Sequence, residues 1–342
     1  TVRDVSNGTK TTTGYDQLLY ATGAAPILPP WDGIDLDGVF PLKTLADADA
    51  IRRAVLARPA RAIVVGGGYI GLEVAEALDA NGIPVRILTL GPGVLERTLD
   101  EDLGGAVAAR IRDMGIPVHD GAVVTGFSGS SGRVTTVHTE SGEDFPADLV
   151  VLALGTEPES DLAEAAGIPL GETGAVAVDD RQRTGAEGVW AAGDCAEARH
   201  RITGRPVNLH LGTVANRTGR IAGINLAGGD AIFPGVLGTA ITKIHDLEIA
   251  RTGLSEAEAA EAGFDAVAAA MDGTTAAHYW PHHAPITIKV VAERGSGRFL
   301  GAQIVGGPGA GKRIDTFAMA LWNDAALVDI EFADLAYAPP FS

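Results

Sequence analysis

Short runs of consecutive apolar residues bounded by glycine and proline alternate along this chain with stretches in which apolar side chains recur every three or four positions, a pattern of strands and helices in succession. The run Arg61 to Val65 predicts a buried strand, Gly66 to Gly68 a tight loop, Ile70 to Ala80 a helix with Ile70, Val74 and Leu78 on its apolar face, and Val85 to Leu90 a second strand. Together they form one βαβ unit. Just before it, residues 44 to 58 have helical spacing at Leu45, Ile51 and Val55, with Thr44 and Asp47 placed to cap the first turn and Pro59 beyond the end. Just after it, Thr98 and Glu101 set a capping-box pattern ahead of a helix whose apolar face is Leu103, Val107, Ile111 and Met114. Two strand-like runs follow, and Leu149 to Leu154 closes the unit with a further buried strand.

The flanking regions have a different texture. The first 30 residues are rich in turns (Asn7-Gly8, Thr13-Gly14) and lead through the short strand Gln17 to Tyr20 into Ala21-Thr22-Gly23-Ala24. Residues 155 to 229 resume that texture with loops, the apolar run Gly188 to Ala192, the pair Gly193-Asp194 and a helical stretch running to Leu226. They read as the other half of the domain begun by the first segment. From Phe233 onwards the pattern becomes α+β: Pro285 to Val291 alternates, Gly295-Ser296-Gly297 turns, Phe299 to Val305 returns, and Ile314, Phe317, Ala318 and Leu321 mark an amphipathic helix. The expected domains are 1–44 with 155–229, 45–154, and 230–342.

Composition supports that division and narrows the partners. With 342 residues, 46% of them hydrophobic and 20% charged, the chain is long enough for two or three domains, each with its own core. Against 44 acidic residues there are only 26 Lys and Arg, a formal net charge of -18 whose field repels nucleic acid and anionic membrane surfaces, so neither is expected as a partner. The single cysteine, Cys195, excludes an internal disulfide framework and a Cys-rich zinc site; it fits a reducing compartment, and a cytoplasmic location is expected. No apolar run approaches the roughly 18 to 20 residues that cross a bilayer. Thr1-Val2-Arg3-Asp4 does not resemble a signal peptide, and a chain opening without Met inside a strand and turn (Val5 to Gly14) is expected to start partway through a larger protein.

The sharpest chemical signal is Gly66-Gly67-Gly68-Tyr69-Ile70-Gly71. Alone, G-x-G-x-x-G is weak, but here it follows a strand and opens a helix inside a βαβ unit. In that setting Gly66 permits the turn, Gly68 lets a pyrophosphate approach the backbone, Gly71 allows close helix-strand packing, and the helix start offers N–H groups to the phosphates. This predicts a dinucleotide site. An acid that binds the adenosine ribose is expected about 20 residues on. Thr89 and Leu90 occupy that strand end instead, Gly91-Pro92-Gly93 follows, and Glu96 is the first carboxylate, too far along to reach the ribose. No Arg stands there for a 2′-phosphate either, so Thr89 offers a neutral hydroxyl and weak NAD/NADP discrimination is expected.

Taken in order, Tyr15-Asp16 with Ala21-Thr22-Gly23, then GGGYIGLE (Gly66 to Glu73), then Thr184 with Val189-Trp190-Ala191-Ala192-Gly193-Asp194, resemble the FAD-dependent pyridine nucleotide disulfide oxidoreductases. The tail resembles their coenzyme A disulfide reductase, NADH oxidase and persulfide reductase branch: Gly238 to Lys243, Ala250 to Leu254, Gly301-Ala302-Gln303, Lys312 to Asp315 and Tyr337 to Ser342 (YAPPFS). The resemblance covers essentially the whole chain. It implies an α/β architecture with two Rossmann-like dinucleotide-binding domains, the first incomplete, and a C-terminal α+β dimerisation domain. It also implies FAD and NAD(P)H as cofactors, a homodimer, and a small-molecule thiol or disulfide substrate. The activity expected is electron transfer from NAD(P)H through FAD to a disulfide or persulfide such as coenzyme A disulfide. The alternatives are an NADH oxidase or peroxidase and, from another class, an inactive NAD-binding and dimerisation fragment.

Residue roles carried over by that resemblance are these. Ala21, Thr22, Gly23, Gly193 and Asp194 would wrap FAD, with the Asp194 carboxylate taking a ribityl hydroxyl, and the helix after Asn208 to Gly212, with Leu211 and Ala215 at its start, would aim its N-terminus at the flavin's pyrimidine edge. Gly66, Gly67, Gly68, Tyr69, Ile70, Gly71, Thr89 and Gly155 would serve the nicotinamide cofactor. Tyr69 would lie over the flavin face and Glu73 beside the hydride-transfer site. Tyr337 and Tyr279 match tyrosines that act across the family's dimer, although Trp280 replaces a second tyrosine of that segment. Cys195, at the start of a flavin-contacting helix, reads as a buried structural thiol; the family's redox cysteine and its first G-x-G-x-x-G lie in an upstream segment. His278, His282 and His283 have no metal-ligand spacing, so no metal is expected, and Arg313 and Asp315 read as surface or interface charges.

Overall fold

The runs Ala62–Val65 and Leu149–Leu152 are apolar at every position and bury every side chain, which requires cover on both faces, the setting of a parallel sheet. A computed structural model describes residues 1–341 of the chain. In it these two runs are central strands of a five-stranded parallel sheet ordered Val39–Pro41, Leu149–Leu152, Ala62–Val65, Val85–Leu88, Val118–His119. Alternate side chains serve opposite layers. Ala62 and Val64 face a core shared with Leu72, Ala75 and Leu78 of the helix Tyr69–Ala80 and with Val107 and Ile111 of the helix Glu101–Asp113. Ile63 and Val65 face a second core with Phe127, Val137 and Phe145 from the antiparallel meander Val124–Ser130, Arg133–Thr139, Asp144–Pro146.

A second five-stranded sheet is antiparallel throughout, ordered Ala240–Ile244, Leu247–Gly253, Phe299–Gly306, Pro285–Glu293, Ala266–Thr274. Ile244, Leu247, Ile249 and Val305 join the first core, so this sheet and the parallel one share a hydrophobic layer. By contact density the chain divides into two compact units, residues 1–25 with 157–236, and residues 26–156 with 237–342. The segment 26–44, grouped from sequence with the first domain, supplies the edge strand Val39–Pro41 to the parallel sheet of the larger unit. The smaller unit contains a parallel pair, Leu18–Tyr20 with Val189–Ala191, two short antiparallel pairs, and the helix Gly212–Leu226.

Five local expectations are corrected. Leu45 begins the helix Leu45–Leu56 yet is 91% exposed, and the buried anchor of that helix is Ile51; Ile70 is likewise exposed, leaving the apolar face of its helix to Leu72, Val74, Ala75 and Leu78. The helix Glu101–Asp113 has Asp100 at its N-cap position, with no side chain capping it, in place of a Thr98–Glu101 box; Thr98 is buried and hydrogen-bonded to Tyr69. The helix ending at Leu226 starts only at Gly212: Ala196 N–H turns back onto Gly193 O, and the pair Ala198–Arg199 with Pro206–Val207 comes first. Arg313 is not a plain surface charge, since its guanidinium donates to the carbonyls of Gly309 and Thr275.

Candidate functional site

At the C-terminal edge of the parallel sheet the three motif glycines meet three different constraints. Gly66 has φ 116°, and a Cβ there would lie 2.2 Å from Ala153 O; a Cβ on Gly71 would lie 2.0 Å from Gly66 O. Neither position admits a side chain without moving backbone. Gly68 is the opposite case: a Cβ there would meet nothing within 4 Å, so open space stands at the N-terminus of the Tyr69–Ala80 helix, which no side chain caps. Free N–H groups, the positive end of the helix dipole and an open cradle together fit a pyrophosphate. Gly67 packs against the loop that follows the next strand, its carbonyl accepting Leu95 N–H at 2.8 Å.

Thr89 is placed differently from a free hydroxyl. It is 3% exposed, and its Oγ1 donates to Gly93 O at 2.9 Å and to Glu96 Oε1 at 3.1 Å. The intervening loop folds back and brings the Glu96 carboxylate to the strand end, where it also accepts Gly91 N–H at 2.7 Å. Sequence distance concealed this because the return depends on Leu95 adopting φ 60°, a left-handed conformation that no local pattern announces.

Of the remaining predicted residues of the larger unit, Tyr69 packs partly buried against the core, and Glu73, Gly155, Tyr279 and Tyr337 are exposed. Burial pushes the Tyr69 phenol up from its usual pKa, against the hydrogen bond from Thr98. Glu73 accepts Thr242 Oγ1 at 3.1 Å, tying the cradle's helix to the antiparallel sheet. Gly155, at φ 98°, accepts Ile27 N–H at 3.0 Å. Tyr279 and Tyr337 are exposed, and the segments that carry them are joined by Ala277 N–H donating to Pro339 O at 2.8 Å. Ser342, the last residue of the YAPPFS segment, lies outside the described residues. Among the described residues no group of three His, Cys, Asp or Glu is arranged to hold a metal ion.

In the smaller unit, the ends of the parallel pair carry the other set. Tyr20 Oη and Thr22 Oγ1 both donate to Glu159 O, at 2.7 and 2.6 Å, and Gly23 has φ 77°. Gly193 N–H donates to Thr218 Oγ1 at 3.1 Å, and a Cβ on Gly193 would lie 3.8 Å from Ala215, which bounds the space beside the uncapped start of the helix Gly212–Leu226 at Leu211. Asn208 Nδ2 donates to Asp194 O and Ala196 O, at 2.9 and 3.0 Å. Cys195 is fully buried, with Sγ 3.3 Å from Ala192 O and 3.6 Å from Tyr20 O, so the thiol has no route to a disulfide.

One constellation escaped the sequence reading. Lys289 Nζ, with the side chain 7% exposed, contacts Asp100 at 3.1 Å, Asp102 at 3.0 Å and Glu256 at 3.3 Å. Gln303 Nε2 donates to Asp100 Oδ2 at 2.6 Å, and Glu256 N–H donates to Asp100 Oδ1 at 3.0 Å. This polar knot secures the N-terminal end of the Glu101–Asp113 helix to the antiparallel sheet. Burial pushes Asp100 up, but its bonds from Gln303 and Lys289 outweigh that and hold the carboxyl below its usual pKa. Burial pushes Lys289 down, but Asp102 and Asp100 hold it above its usual value.

A glycine cradle on a parallel sheet, a second strand end bearing Ala-Thr-Gly and Gly-Asp, and an antiparallel C-terminal sheet define a nucleotide-dependent oxidoreductase class, and the family comparisons agree. The profile of pyridine nucleotide-disulphide oxidoreductases matches residues 1–219, and that of the dimerisation domain of the same family matches residues 239–342. The chain belongs to this family, whose cofactors are FAD and NAD(P)H. It is 40% identical over 342 residues to the NAD(P)H coenzyme A polysulfide/persulfide reductase of Pyrococcus horikoshii, covering all of this chain and 76% of that protein. To the NADH oxidase of Methanocaldococcus jannaschii it is 36% identical, covering 96% of this chain and 73% of that one. The solved structure of an NAD-dependent persulfide reductase from A. fulgidus superposes with a TM-score of 0.94 at 38% identity, over 98% of this chain and 62% of that chain.

Proposed function

We propose that this chain serves an NAD(P)H oxidoreductase that reduces a small-molecule disulfide or persulfide, of the coenzyme A type, and that it acts as a homodimer in a reducing, cytoplasmic setting. The observation that carries the reading is the Gly66–Gly71 cradle, with backbone closed around Gly66 and Gly71 and open space at Gly68. Membership of the family and the persulfide reductases among its relatives support the choice of acceptor.

In this reading the cradle holds the pyrophosphate of NAD(P)H, while Ala21, Thr22, Gly23, Gly193, Asp194 and the start of the Gly212–Leu226 helix hold FAD. When bound, FAD would supply a two-electron relay between NAD(P)H and the sulfur–sulfur bond, whose reduction by one hydride equivalent and one proton gives two thiols from a disulfide, or one thiol and hydrogen sulfide from a persulfide. The start of that helix has no side-chain cap, so its N–H dipoles would be free to favour the negative charge that a flavin gathers on reduction. Glu73 accepts from Thr242 and so ties the cradle's helix to the antiparallel sheet. Cys195 is excluded as the attacking thiol by its burial, so the work of this chain is to bind and orient both cofactors and to pair subunits. Met271, Met319, Phe332, Leu335 and Phe341, all exposed on the C-terminal part, offer the apolar surface that pairing would cover.

The test compares the 342-residue chain with the product of the full reading frame that encodes it, following NADH consumption with coenzyme A disulfide or with oxygen as acceptor. The reading expects NADH binding by both proteins and disulfide-dependent turnover by the full product. Turnover with oxygen alone favours the NADH oxidase reading, for which the Methanocaldococcus relative speaks. NADH binding without turnover by either protein assigns the chain to the inactive class.

A further inference from the structure

The strand end beyond the cradle is built around a carboxylate that its sequence position hides. Glu96 Oε1 accepts Gly91 N–H and Thr89 Oγ1, and among the described residues Oε2 has no partner. The side chain belongs to an exposed residue, yet its head is fixed. A Cβ on Gly91 would lie 2.3 Å from the Glu96 carboxyl carbon, so only glycine leaves room for it. The loop that delivers it is bound to the cradle itself, through Leu95 N–H to Gly67 O at 2.8 Å, with Leu95 held at φ 60° although that conformation is costly for a leucine. Such strain persists only where the surroundings over-determine it.

From this geometry, and resting on the dinucleotide reading of the cradle, we infer that Glu96 binds the adenosine ribose of NADH and turns away the 2′-phosphate of NADPH. The chemistry requires an acceptor for the ribose hydroxyls at the end of the strand after the cradle. Thr89 stands there, but its single proton is shared between Gly93 O and Glu96 and the group is buried. The free Oε2 of Glu96 is the acceptor that remains, supplied by the loop in place of the strand. A fixed negative charge at that point repels a phosphate carrying close to two negative charges, so the same atom that holds one cofactor rejects the other. The weak discrimination read from Thr89 is replaced by a preference for NADH.

Calorimetric titration of the purified 342-residue chain with NADH and with NADPH tests this, since it needs neither flavin nor acceptor. The unaltered chain should bind NADH at least about tenfold more tightly, and Glu96→Gln, which keeps the Oε1 acceptor but removes the charge, should bring the two affinities within about threefold, mostly by strengthening NADPH. Gly91→Ala provides a second route that leaves the charge in place: its methyl pushes the carboxylate off the strand end and should weaken NADH binding while the fold is kept. An unchanged cofactor ratio in Glu96→Gln and unaltered NADH affinity in Gly91→Ala, with NADH still bound, overturn the inference and leave the cradle reading standing. A preference for NADPH in the unaltered chain also overturns it and points to the neighbouring Arg97. Failure of the unaltered chain to bind either nucleotide removes the cradle reading and the inference together.

Discussion

The two sets of loops proposed to hold the cofactors rest on different foundations. The Gly66–Gly71 cradle ends a strand at the centre of five, where Val64, Leu149, Val150 and Val151 are wholly inaccessible and two hydrophobic layers press on the sheet. The loops Ala21–Gly23 and Gly193–Asp194 end a pair of three-residue strands, one of whose middle residues, Leu19, is 38% exposed. What that pair lacks in strands it recovers in polar side chains that grip backbone: Tyr20 and Thr22 on Glu159, Thr218 on Gly193, Asn208 on Asp194 and Ala196. In one unit the loop geometry is a by-product of a deep core. In the other it depends on a few hydrogen bonds, each of which can be removed singly.

The comparison is broken most severely at Lys289. Lys289→Met would leave Asp100 buried and charged without its cation, a cost of about 3 to 5 kcal/mol by analogy with other buried pairs. Denaturant unfolding should show that loss in the unit of residues 26–156 and 237–342, whereas Arg181→Met, which opens the solvent-exposed Arg181–Asp230 pair of the other unit, should leave its melting unchanged. The pH dependence follows from the two shifts. The lowered carboxyl of Asp100 stabilises the fold fully above its usual pKa and loses that contribution as pH falls through the lowered value. The raised Lys289 contributes fully below its usual pKa and loses its part as pH rises through the raised value. Unfolding midpoints should therefore be flat from about pH 5 to 9 and fall at both ends, with both falls shallower in Lys289→Met.

Next in size is Gly71→Val. With the Cβ position only 2.0 Å from Gly66 O, the helix must leave the strand, and NADH affinity should drop by at least about 100-fold, or about 2.7 kcal/mol. Calorimetry on the folded variant checks it, and unchanged affinity would remove the pyrophosphate assignment. If the comparison is right, FAD binding by the other unit should be untouched.

This cradle was also the most legible part of the chain, because everything that makes it is local: an apolar run, three glycines at fixed spacing and a helical face within about 30 residues. Legibility fell where structure depends on distant partners. Lys289 and Asp102 stand 187 residues apart in sequence, and nothing near Lys289 marks it as buried. Ala266–Thr274 is rich in alanine, which favours helices; it is a strand because Pro285–Glu293 pairs with it along nine residues. The helix that ends at Leu226 reads too long in sequence because helix-compatible residues precede it, and the turn at Gly193–Ala196 is set by long-range bonds, from Asn208 Nδ2 to the carbonyls of Asp194 and Ala196 and from Gly193 N–H to Thr218 Oγ1. The contact of Glu96 with Thr89 is hidden for a related reason: the two stand seven residues apart, and only the left-handed Leu95 turns the chain back.

Thr218→Val sharpens the polar side of the comparison. Thr218 is 2% exposed, accepts Gly193 N–H and donates to Val214 O, so the isosteric change leaves one buried donor unsatisfied at a cost of about 1 to 3 kcal/mol. The loss should be local. Amide exchange of Gly193 and its neighbours should quicken and FAD affinity should weaken, with NADH affinity unaltered. An equal loss of both affinities would show that the two loops do not rest on separate foundations.

The smallest expected effect on the fold is at Tyr337, and it separates a structural side chain from a functional one. The residue is 67% exposed and belongs to a segment held by the bond from Ala277 to Pro339, a backbone contact that the phenol does not make. Tyr337→Phe should therefore change stability by less than about 0.5 kcal/mol, as surface substitutions do. It should also leave NADH binding alone, since the cradle is built from backbone and from residues that Tyr337 does not hydrogen-bond. If the phenol acts on the acceptor, as the resemblance implies, the loss appears only when reduced flavin meets coenzyme A disulfide in the flavin-loaded full product. Rapid mixing can follow the two half-reactions apart, and the variant should show normal reduction by NADH with slowed reoxidation by the disulfide. Equal slowing of both halves would mean that Tyr337 shapes the protein as a whole, and no slowing of either would return it to the plain exposed surface that its accessibility already describes.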